Sequence, residues 1–251
     1  MSNFYIYGRK PIIAALKSEA NISKIFIQYG TSGDELNQIN FLARKNNIPV
    51  TTYDKGKFQN LLKNANLSLE NHQGVIALKE IGQALPLFQL VEEALEVNDK
   101  PVLLFLDEIQ DPHNLGSIAR SAESSGVAGL IIPDMKSSLV TPVAFKTSAG
   151  ALEYLPYSII KNSLNTLKYL KEKGFWIIGT DMQSDKNYTQ LSYDFPLVLI
   201  IGNEGKGVRK ILQNECDYII NIPSVGKTES LNASVSAAII MFEILRQRTL
   251  I

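Results

Sequence analysis

Residues 197–208 read LVLIIGNEGKGV, five apolar residues that run directly into a polar turn containing three glycines. An apolar run of this length that ends at a turn is typical of a strand buried on both faces, as strands are in parallel sheets. Glycines in the turn let the backbone approach a bound ligand closely. Because ligands in open α/β sheets bind beyond the carboxyl ends of the strands, the sequence predicts a binding site at this turn.

A second segment has the same arrangement of an apolar strand followed by a polar turn. Residues 101–105, PVLLF, precede residues 106–122, LDEIQDPHNLGSIARSA. The Ala- and Ser-rich part predicts a helix over residues 115–125. Asn114 then lies at the start of this helix, and Arg120 lies about two turns further along it.

A third segment lies near the end of the chain. Residues 218–223, YIINIP, form another predicted strand, and residues 230–234, SLNAS, open the last helix. Ser and Asn are ordinary N-cap residues, and the same neutral groups beside a helix N-terminus also suit a polar ligand or an RNA phosphate. This segment alone leaves both interpretations open.

The polar residues of these three segments, in this order, resemble the three motifs of the SpoU (TrmH) family of RNA ribose 2′-O-methyltransferases. The motifs read Asn114-x-Gly116-x-x-x-Arg120, Gly202-Asn203-Glu204-Gly205-x-Gly207 and Ile222-Pro223-x-x-Gly226-x-x-x-Ser230-Leu231-Asn232. The resemblance covers about residues 100–248. One departure is Ala233, where the family more often has Val, and a small apolar exchange of this kind leaves the assignment unchanged.

The N-terminal segments extend the resemblance. Residues 7–12, YGRKPI, and residues 72–75, HQGV, are similar to the L30e-like RNA-binding domain of the bacterial members that methylate a guanosine of 23S rRNA. The resemblance implies an L30e-like RNA substrate-binding domain over residues 1–80, a connector over 81–99, and an S-adenosylmethionine-dependent methyltransferase domain over 100–251.

The hydrophobic pattern predicts an α/β fold for both domains. In the first domain it predicts strands over residues 24–28, 48–53 and 74–78 with two helices between them. In the second domain it predicts strands over residues 102–106, 130–132, 155–158, 176–180, 197–202 and 218–222, which alternate with helices, and a last helix from Leu231. This alternation indicates a mainly parallel sheet covered on both faces. The pattern goes no further than a Rossmann-like sheet. A deep C-terminal trefoil knot of the SPOUT type, in which the last third of the chain threads a loop to build the cofactor pocket, is implied by the resemblance alone.

Composition limits the class of protein and of site. The chain has 251 residues with 45% hydrophobic content, and no apolar run approaches the ~18 residues of a membrane span. The N-terminus shows no secretion signal, so we expect a soluble, cytoplasmic protein without a membrane partner. Cys216 is the single cysteine, and together with His72 and His113 it makes no zinc-ligand spacing. No metal site is expected.

The net charge of zero conceals a division between the two domains. Residues 1–80 hold 10 Lys and Arg against 6 Asp and Glu, a balance of +4, whereas residues 81–251 hold 15 against 19, a balance of −4. Because phosphate neutralisation needs basic groups, this asymmetry supports an RNA-binding half joined to a catalytic half.

The resemblance assigns the central catalytic role to Arg120. A guanidinium with a pKa above about 12 is a poor base, so we expect Arg120 to activate the ribose 2′-hydroxyl electrostatically while it binds a substrate phosphate. Asn114 orients Arg120 or the ribose, and Glu204 contacts the substrate or Arg120. The alternatives without a role in catalysis are a surface salt bridge for Arg120, a helix cap for Asn114 and a solvated acid for Glu204. We interpret His113 as a turn residue.

Further residues complete the site that the resemblance implies. Ser230 and Asn232 join the catalytic set and bind the cofactor or the ribose. S-adenosylmethionine is the implied cofactor, and its adenine part is expected to meet backbone and apolar groups. The cofactor set is Gly202, Ile222, Leu231, Thr180 and Asn232.

The last helix carries a face of small residues, including Ala233, Ala237 and Ala238. Such a face is most often core packing, but the knotted domain of this family dimerises, so we expect a homodimer through the C-terminal domain. The expected activity is methylation of a ribose 2′-hydroxyl of RNA, at a guanosine of 23S rRNA. The alternatives are a tRNA ribose 2′-O-methyltransferase and a non-enzymatic RNA-binding ribosome-assembly factor.

Overall fold

The computed structural model describes residues 3–17, 21–65, 67, 71–80, 84–226 and 230–249. The chain divides into two compact units, Met1–Gly82 and Gln83–Ile251. Within the described residues, no helix combines the length and the apolar character needed to cross a bilayer.

The first unit is a four-stranded mixed sheet with helices on both faces. The sheet has the order β1-β4-β2-β3, in which β4 is antiparallel to β1 and β2, and β2 is parallel to β3. Its strands are β1 (Asn3–Tyr7), β2 (Ile22–Gln28), β3 (Val50–Tyr53) and β4 (Val75–Glu80), and its helices are α1 (Arg9–Lys17), α2 (Asp34–Lys45) and α3 (Lys55–Asn64).

Each face of this sheet has its own core. Ile12 and Leu16 of α1 pack with Ile39 of α2 against β2 and β4. On the other face, Phe58 and Leu62 of α3 pack against the same two strands. The hydrophobic pattern did not predict β1 and α1. The residues of β1 described here are only half-buried, and Pro11 interrupts the helical pattern, although a proline in the first turn costs no hydrogen bond.

The second unit contains a six-stranded sheet in which every pair of strands is parallel. The order is β10-β8-β9-β5-β6-β7, and all residues of β5, β6 and β9 are buried. The predicted α/β class and parallel sheet are confirmed. The strands are β5 (Val102–Leu106), β6 (Gly129–Pro133), β7 (Tyr157–Ile160), β8 (Trp176–Thr180), β9 (Leu197–Ile201) and β10 (Tyr218–Ile220).

Helices cover both faces of this sheet. They are α4 (Leu87–Val97), α5 (Pro112–Ser124), α6 (Pro142–Thr147), α7 (Ser163–Glu172), α8 (Lys210–Gln213) and α9 (Ala233–Thr249). Leu90 of α4 and Leu167 of α7 share one core with Leu103 and Val198 of the sheet, so the predicted connector contains a helix that belongs to the second unit. Helix α5 packs against α6 and α9.

Several boundaries differ from the sequence prediction. Helix α5 begins at Pro112, three residues earlier than predicted, because the Asp111 side chain accepts a hydrogen bond from the His113 N–H and Pro112 occupies the first turn. Strand β7 covers residues 157–160 and not 155–158, since Pro156 cannot donate a ladder hydrogen bond. Helix α9 begins at Ala233, two residues later than predicted.

The glycine of the first motif has a packing role. Gly116 lies where α5 meets α6, and a Cβ at this position would collide with the backbone carbonyl of Ala144. The absence of a side chain therefore allows the close approach of α6 to the first turns of α5, which carry Asn114.

Candidate active site

Three polar side chains from three separate segments meet beyond the carboxyl ends of the strands. Asn114 Nδ2 donates a 2.8 Å hydrogen bond to Glu204 Oε1. Asn232 Nδ2 donates to Asn114 Oδ1 at 3.0 Å and also to Glu204 Oε1. These residues form the Asn114–Glu204–Asn232 cluster. The sequence motifs named all three residues but did not indicate that they contact one another.

Asn232 combines the two roles that the sequence left open. Its Oδ1 accepts hydrogen bonds from the backbone N–H of Ser234 at 2.9 Å and from the Ser234 hydroxyl at 2.6 Å, so it caps α9. Because Oδ1 serves the cap, the Nδ2 donor faces Asn114 and Glu204. A helix cap and a site contact thus come from opposite sides of one amide.

The glycine-rich turn presents Glu204 to the cluster. The backbone N–H of Asn203 donates to Gly207 O at 3.2 Å, and the N–H of Gly207 donates to Asn203 O at 2.8 Å, which closes the turn. A Cβ on Gly202 would collide with the backbone of Gly207 and Val208. Gly207 has a φ of 66°, a left-handed conformation that favours glycine. The tight turn therefore explains the glycines at 202 and 207.

One oxygen of the Glu204 carboxylate is held and the other is available. Oε1 accepts from both amides of the cluster, whereas Oε2 makes no hydrogen bond to any residue that the structure describes. The Ser230 hydroxyl donates to the backbone carbonyl of Glu204 at 3.3 Å, so Ser230 supports the turn. Glu204 itself is exposed, which leaves its free oxygen accessible to a ligand.

A cavity of about 460 Å³ lies beyond the ends of β8, β9 and β10. Its size falls in the range of roughly 300–1,000 Å³ that is usual for small-molecule sites. Glu204 is part of the cavity wall. Asn232 does not line the cavity but contacts Glu204. The predicted residues that line it are Thr180, Gly202, Glu204, Ile222, Ser230 and Leu231.

Other residues of the cavity wall were not predicted from the sequence. Asp181 and Asn221, which directly follow β8 and β10, line the cavity together with Gln183. Their position at the carboxyl ends of predicted strands was the available signal. Asn221 Oδ1 is buried and has no hydrogen-bond partner among the described residues.

The structure does not bring Arg120 to the cluster. Six residues of α-helix separate Arg120 from Asn114, which corresponds to about 9 Å along the axis and about 600° of rotation. Arg120 is exposed. Within the described residues it makes neither a hydrogen bond to Asn114 or Glu204 nor a surface salt bridge. The expected contact between Asn114 and Arg120 is therefore absent from the described part of this structure.

Two other polar residues lie apart from the cluster. The His113 ring Nδ1 lies 3.2 Å from the Thr147 hydroxyl, a local contact between α5 and α6. Cys216 packs against Gly179, and burial raises the pKa of its thiol to about 12, so the thiol stays protonated near neutral pH. No group of three His, Cys, Asp or Glu side chains in the described residues is placed to hold a metal ion.

Comparisons with known proteins agree with these observations. The profile of the SpoU rRNA methylase family matches residues 101–242, and a profile for RNA 2′-O ribose methyltransferase substrate binding matches residues 5–80. A Bacillus subtilis relative, YacO, named as a TrmH family tRNA/rRNA methyltransferase, is 35% identical over 97% of this chain and 96% of its own length. A Staphylococcus aureus relative, also named as a TrmH family tRNA/rRNA methyltransferase, is 38% identical over 99% of this chain and 98% of its own length.

Solved structures show the same fold. The SpoU methyltransferase AviRb from Streptomyces viridochromogenes, in complex with the cofactor AdoMet, superimposes with a TM-score of 0.78 at 24% identity, covering 99% of this chain and 91% of its own. This likeness gives the second unit the SPOUT fold that the motifs implied. Since the family profile covers more than half of the chain and a second profile covers most of the first unit, the chain belongs to the SpoU rRNA methylase family of RNA 2′-O-ribose methyltransferases.

Proposed function

We propose that this enzyme methylates the ribose 2′-hydroxyl of a guanosine in 23S rRNA. As a member of its family it is an S-adenosylmethionine-dependent RNA 2′-O-methyltransferase, and the RNA and the nucleotide are what we add. The observation that supports the reaction is the Asn114–Glu204–Asn232 cluster, whose carboxylate lines the cavity beyond β8, β9 and β10, and the first unit supports the choice of RNA.

The cavity wall suits S-adenosylmethionine. Ile201, Ile222 and Leu231 offer apolar groups to the adenine ring. When bound, the cofactor supplies the reactive methyl group, while the protein supplies orientation and electrostatics. Gly202, which has no room for a side chain, keeps the backbone close to this space.

Glu204 is the residue placed to receive the ribose hydroxyl. The two amides bind Oε1, and we assign the hydrogen bond of the 2′-hydroxyl to Oε2, which accepts no hydrogen bond from the described residues. Such a contact aligns the 2′-oxygen and assists removal of its proton as the bond to carbon forms. Asn114 and Asn232 then act by orienting the carboxylate.

Arg120 acts from the solvent side of α5. Because it is exposed and has no ion-pair partner among the described residues, its guanidinium is available to a phosphate of bound RNA in a bidentate contact. Bound to a phosphate next to the reacting nucleotide, its charge would lower the pKa of the 2′-hydroxyl through space and without a contact to the cluster. This assigns Arg120 an electrostatic role.

The outer face of α9 supports a homodimer through the second unit. Ala237 and Ile240 are buried against the protein, yet Val235 and Phe242 of the same helix are each 45% exposed. Exposed apolar side chains that lie on one side of a helix often mark a protein–protein interface. We assign the outer side to a second copy of the chain, and Phe242→Asp should convert the dimer to a monomer in sedimentation measurements.

The first unit supports rRNA as the substrate. Its sequence matches the substrate-binding profile of RNA 2′-O ribose methyltransferases, carries a charge balance of +4 over residues 1–80, and resembles the L30e-like domain of the enzymes that act on 23S rRNA. A tRNA substrate is the second candidate, because the relatives bear names that include both RNAs.

Mapping of ribose methylation in cells lacking the protein tests the proposal. We expect one 2′-O-methylguanosine to disappear from 23S rRNA, to return with the wild-type gene and to stay absent with the Glu204→Gln variant. Loss of a tRNA methylation would replace the rRNA assignment by the tRNA one. Unchanged methylation in both RNAs, with a ribosome-assembly defect, would favour the non-enzymatic alternative.

A further inference from the structure

The side chain of Asn203 connects the glycine-rich turn to the loop that follows β5. Its Nδ2 donates a 3.0 Å hydrogen bond to the backbone carbonyl of Glu108. Its Oδ1 accepts a 3.0 Å hydrogen bond from the N–H of Gly205. One half-buried amide therefore holds the turn that carries Glu204 and, at the same time, the loop that leads into α5.

The backbone on the far side of this contact has an unusual conformation. Glu108 has a φ of 56°, in the left-handed region that residues other than glycine seldom adopt. Such a conformation persists when surrounding contacts hold it. The hydrogen bond from Asn203 to the Glu108 carbonyl is one of these contacts, and Asn114 follows six residues later in the chain.

An ion pair between a buried aspartate and a half-buried arginine fixes the other end of the turn. Asp107 is fully buried, and its carboxylate accepts from the backbone N–H of Arg209 at 2.9 Å and from Arg209 Nε at 2.7 Å. Arg209 follows the turn directly, so the turn is attached to residues 107–108 at both ends. The two attachments differ chemically, because loss of the ion pair would leave a buried charge, whereas loss of the Asn203 amide would not.

Glu204 needs this support because it is exposed. A solvent-exposed carboxylate side chain has several accessible rotamers, and only some of them keep Oε1 on the amides of Asn114 and Asn232. We propose that Asn203 is a positioning residue, which holds the turn in the conformation in which Glu204 contacts Asn114 and Asn232. This inference rests on the proposed function of Glu204 and deepens it.

Kinetics of the full-length enzyme test the inference through a double-mutant cycle. Asn203→Ala should lower kcat by about 10- to 100-fold, the scale of a misplacement of about 1 Å, and should change KM for S-adenosylmethionine by less than about threefold. In a Glu204→Gln background, whose residual rate is measured under single-turnover conditions, the same substitution should cost less than about twofold, because its effect passes through Glu204. Asn165→Ala, at an exposed position of α7, is the matched control and should behave as the wild type.

Asn203→Asp separates the two hydrogen bonds of this side chain. It keeps the acceptor for the Gly205 N–H and removes the donor to the Glu108 carbonyl, so a similar loss of kcat is expected. A kcat within about twofold of the wild type in Asn203→Asp or Asn203→Ala overturns the inference. If the effects of the Asn203 and Glu204 substitutions on kcat are fully additive in free energy, the inference is overturned as well.

Hydrogen–deuterium exchange gives a readout that does not need turnover. In Asn203→Ala the amides of Gly205 and Gly207 should exchange at least about tenfold faster, with unchanged exchange in β5 and β9. A wild-type enzyme that methylates no RNA would contradict the proposed function, and exchange would then decide the role of Asn203 by itself. Unchanged exchange at residues 203–207 would refute that role.

Discussion

Asn232 Nδ2 donates a 3.0 Å hydrogen bond to Asn114 Oδ1, and so joins the start of α9 to the first turn of α5 across 118 residues of sequence. The two helices pack against each other on one side of the parallel sheet. Neither amide can reach Glu204 in its present geometry unless both helices and β9 are in place. The cluster is therefore a product of the completed fold of the second unit.

Substitutions of Asn232 should separate helix capping from the role in the cluster. Asn232→Ser keeps an N-cap acceptor but lacks the Nδ2 donor, so we expect activity to fall at least 100-fold while the free energy of unfolding changes by less than about 0.5 kcal/mol. Asn232→Ala should lose the same activity and about 1 kcal/mol of stability. Single-turnover kinetics and urea unfolding measure the two effects.

Asn162→Ser is the matched control for this experiment. Asn162 caps α7 with the same kind of bond, since its Oδ1 accepts from the N–H of Asn165 at 3.0 Å. The control should retain full activity. Equal activity losses in Asn162→Ser and Asn232→Ser would contradict a specific role for Asn232.

The strands of the second unit could be predicted closely because burial on both faces leaves an uninterrupted apolar run. The bounds of β5 and β8 agree with the prediction, and β9 differs by one residue. Strand β1 was missed because its half-buried residues show no such run. The hydrophobic pattern also predicted the start of α5 at the wrong residue, because the Asp111 cap sets this boundary and the composition of the helix does not.

The motifs indicated the site residues but not their arrangement. Nothing in the sequence spacing shows that Glu204 accepts from Asn114 and Asn232 and that Arg120 stands apart, because these contacts depend on the rotation of α5 and on the path of the glycine-rich turn. The contact between Asn203 and Glu108 was likewise unpredictable, since it joins a side chain to a backbone carbonyl 95 residues away.

The second unit should bind S-adenosylmethionine without the first. All described residues that line the cavity lie between Thr180 and Ser236, and the fragment 83–251 retains α4, whose Leu90 packs in the core with Leu103 and Phe105. Calorimetry should detect binding to this fragment. Removal of residues 1–99 deletes α4 and uncovers that core, so the fragment 100–251 should bind weakly or aggregate. Absence of binding by a folded fragment 83–251 would refute the pocket assignment.

The stability of α9 should depend on pH through Glu243. Hydrogen bonds from Arg246 at 2.7 and 2.8 Å, with a further bond from Gln247 at 2.9 Å, lower the pKa of Glu243 to about 2, although partial burial opposes them. The unfolded chain has a Glu pKa of about 4.3. The stabilisation is therefore present above that value and is lost as the pH falls toward 2.

Glu243→Gln measures this contribution. Because the Arg246 side chain is 56% exposed, solvent screening limits the expected loss to about 1 kcal/mol at pH 7, and the difference from the wild type should shrink as the pH approaches 2. Urea unfolding at several pH values gives both quantities. Glu96→Gln, at an exposed position of α4, is the control, and equal pH dependence in the wild type and Glu243→Gln would rule out the proposed linkage.

Arg120 should matter for the transition state and not for cofactor binding. Arg120 is exposed on α5 and does not belong to the cavity wall, so Arg120→Ala should abolish turnover while the Kd for S-adenosylmethionine stays nearly unchanged. Arg120→Lys should restore little, since an ammonium keeps the charge but lacks the planar fork that binds phosphate in a bidentate way. Single-turnover rates at saturating RNA decide the question. A rate for Arg120→Ala within about tenfold of the wild type, a barrier change of only ~1.4 kcal/mol, would reduce Arg120 to a residue that binds RNA and would leave activation of the hydroxyl to Glu204.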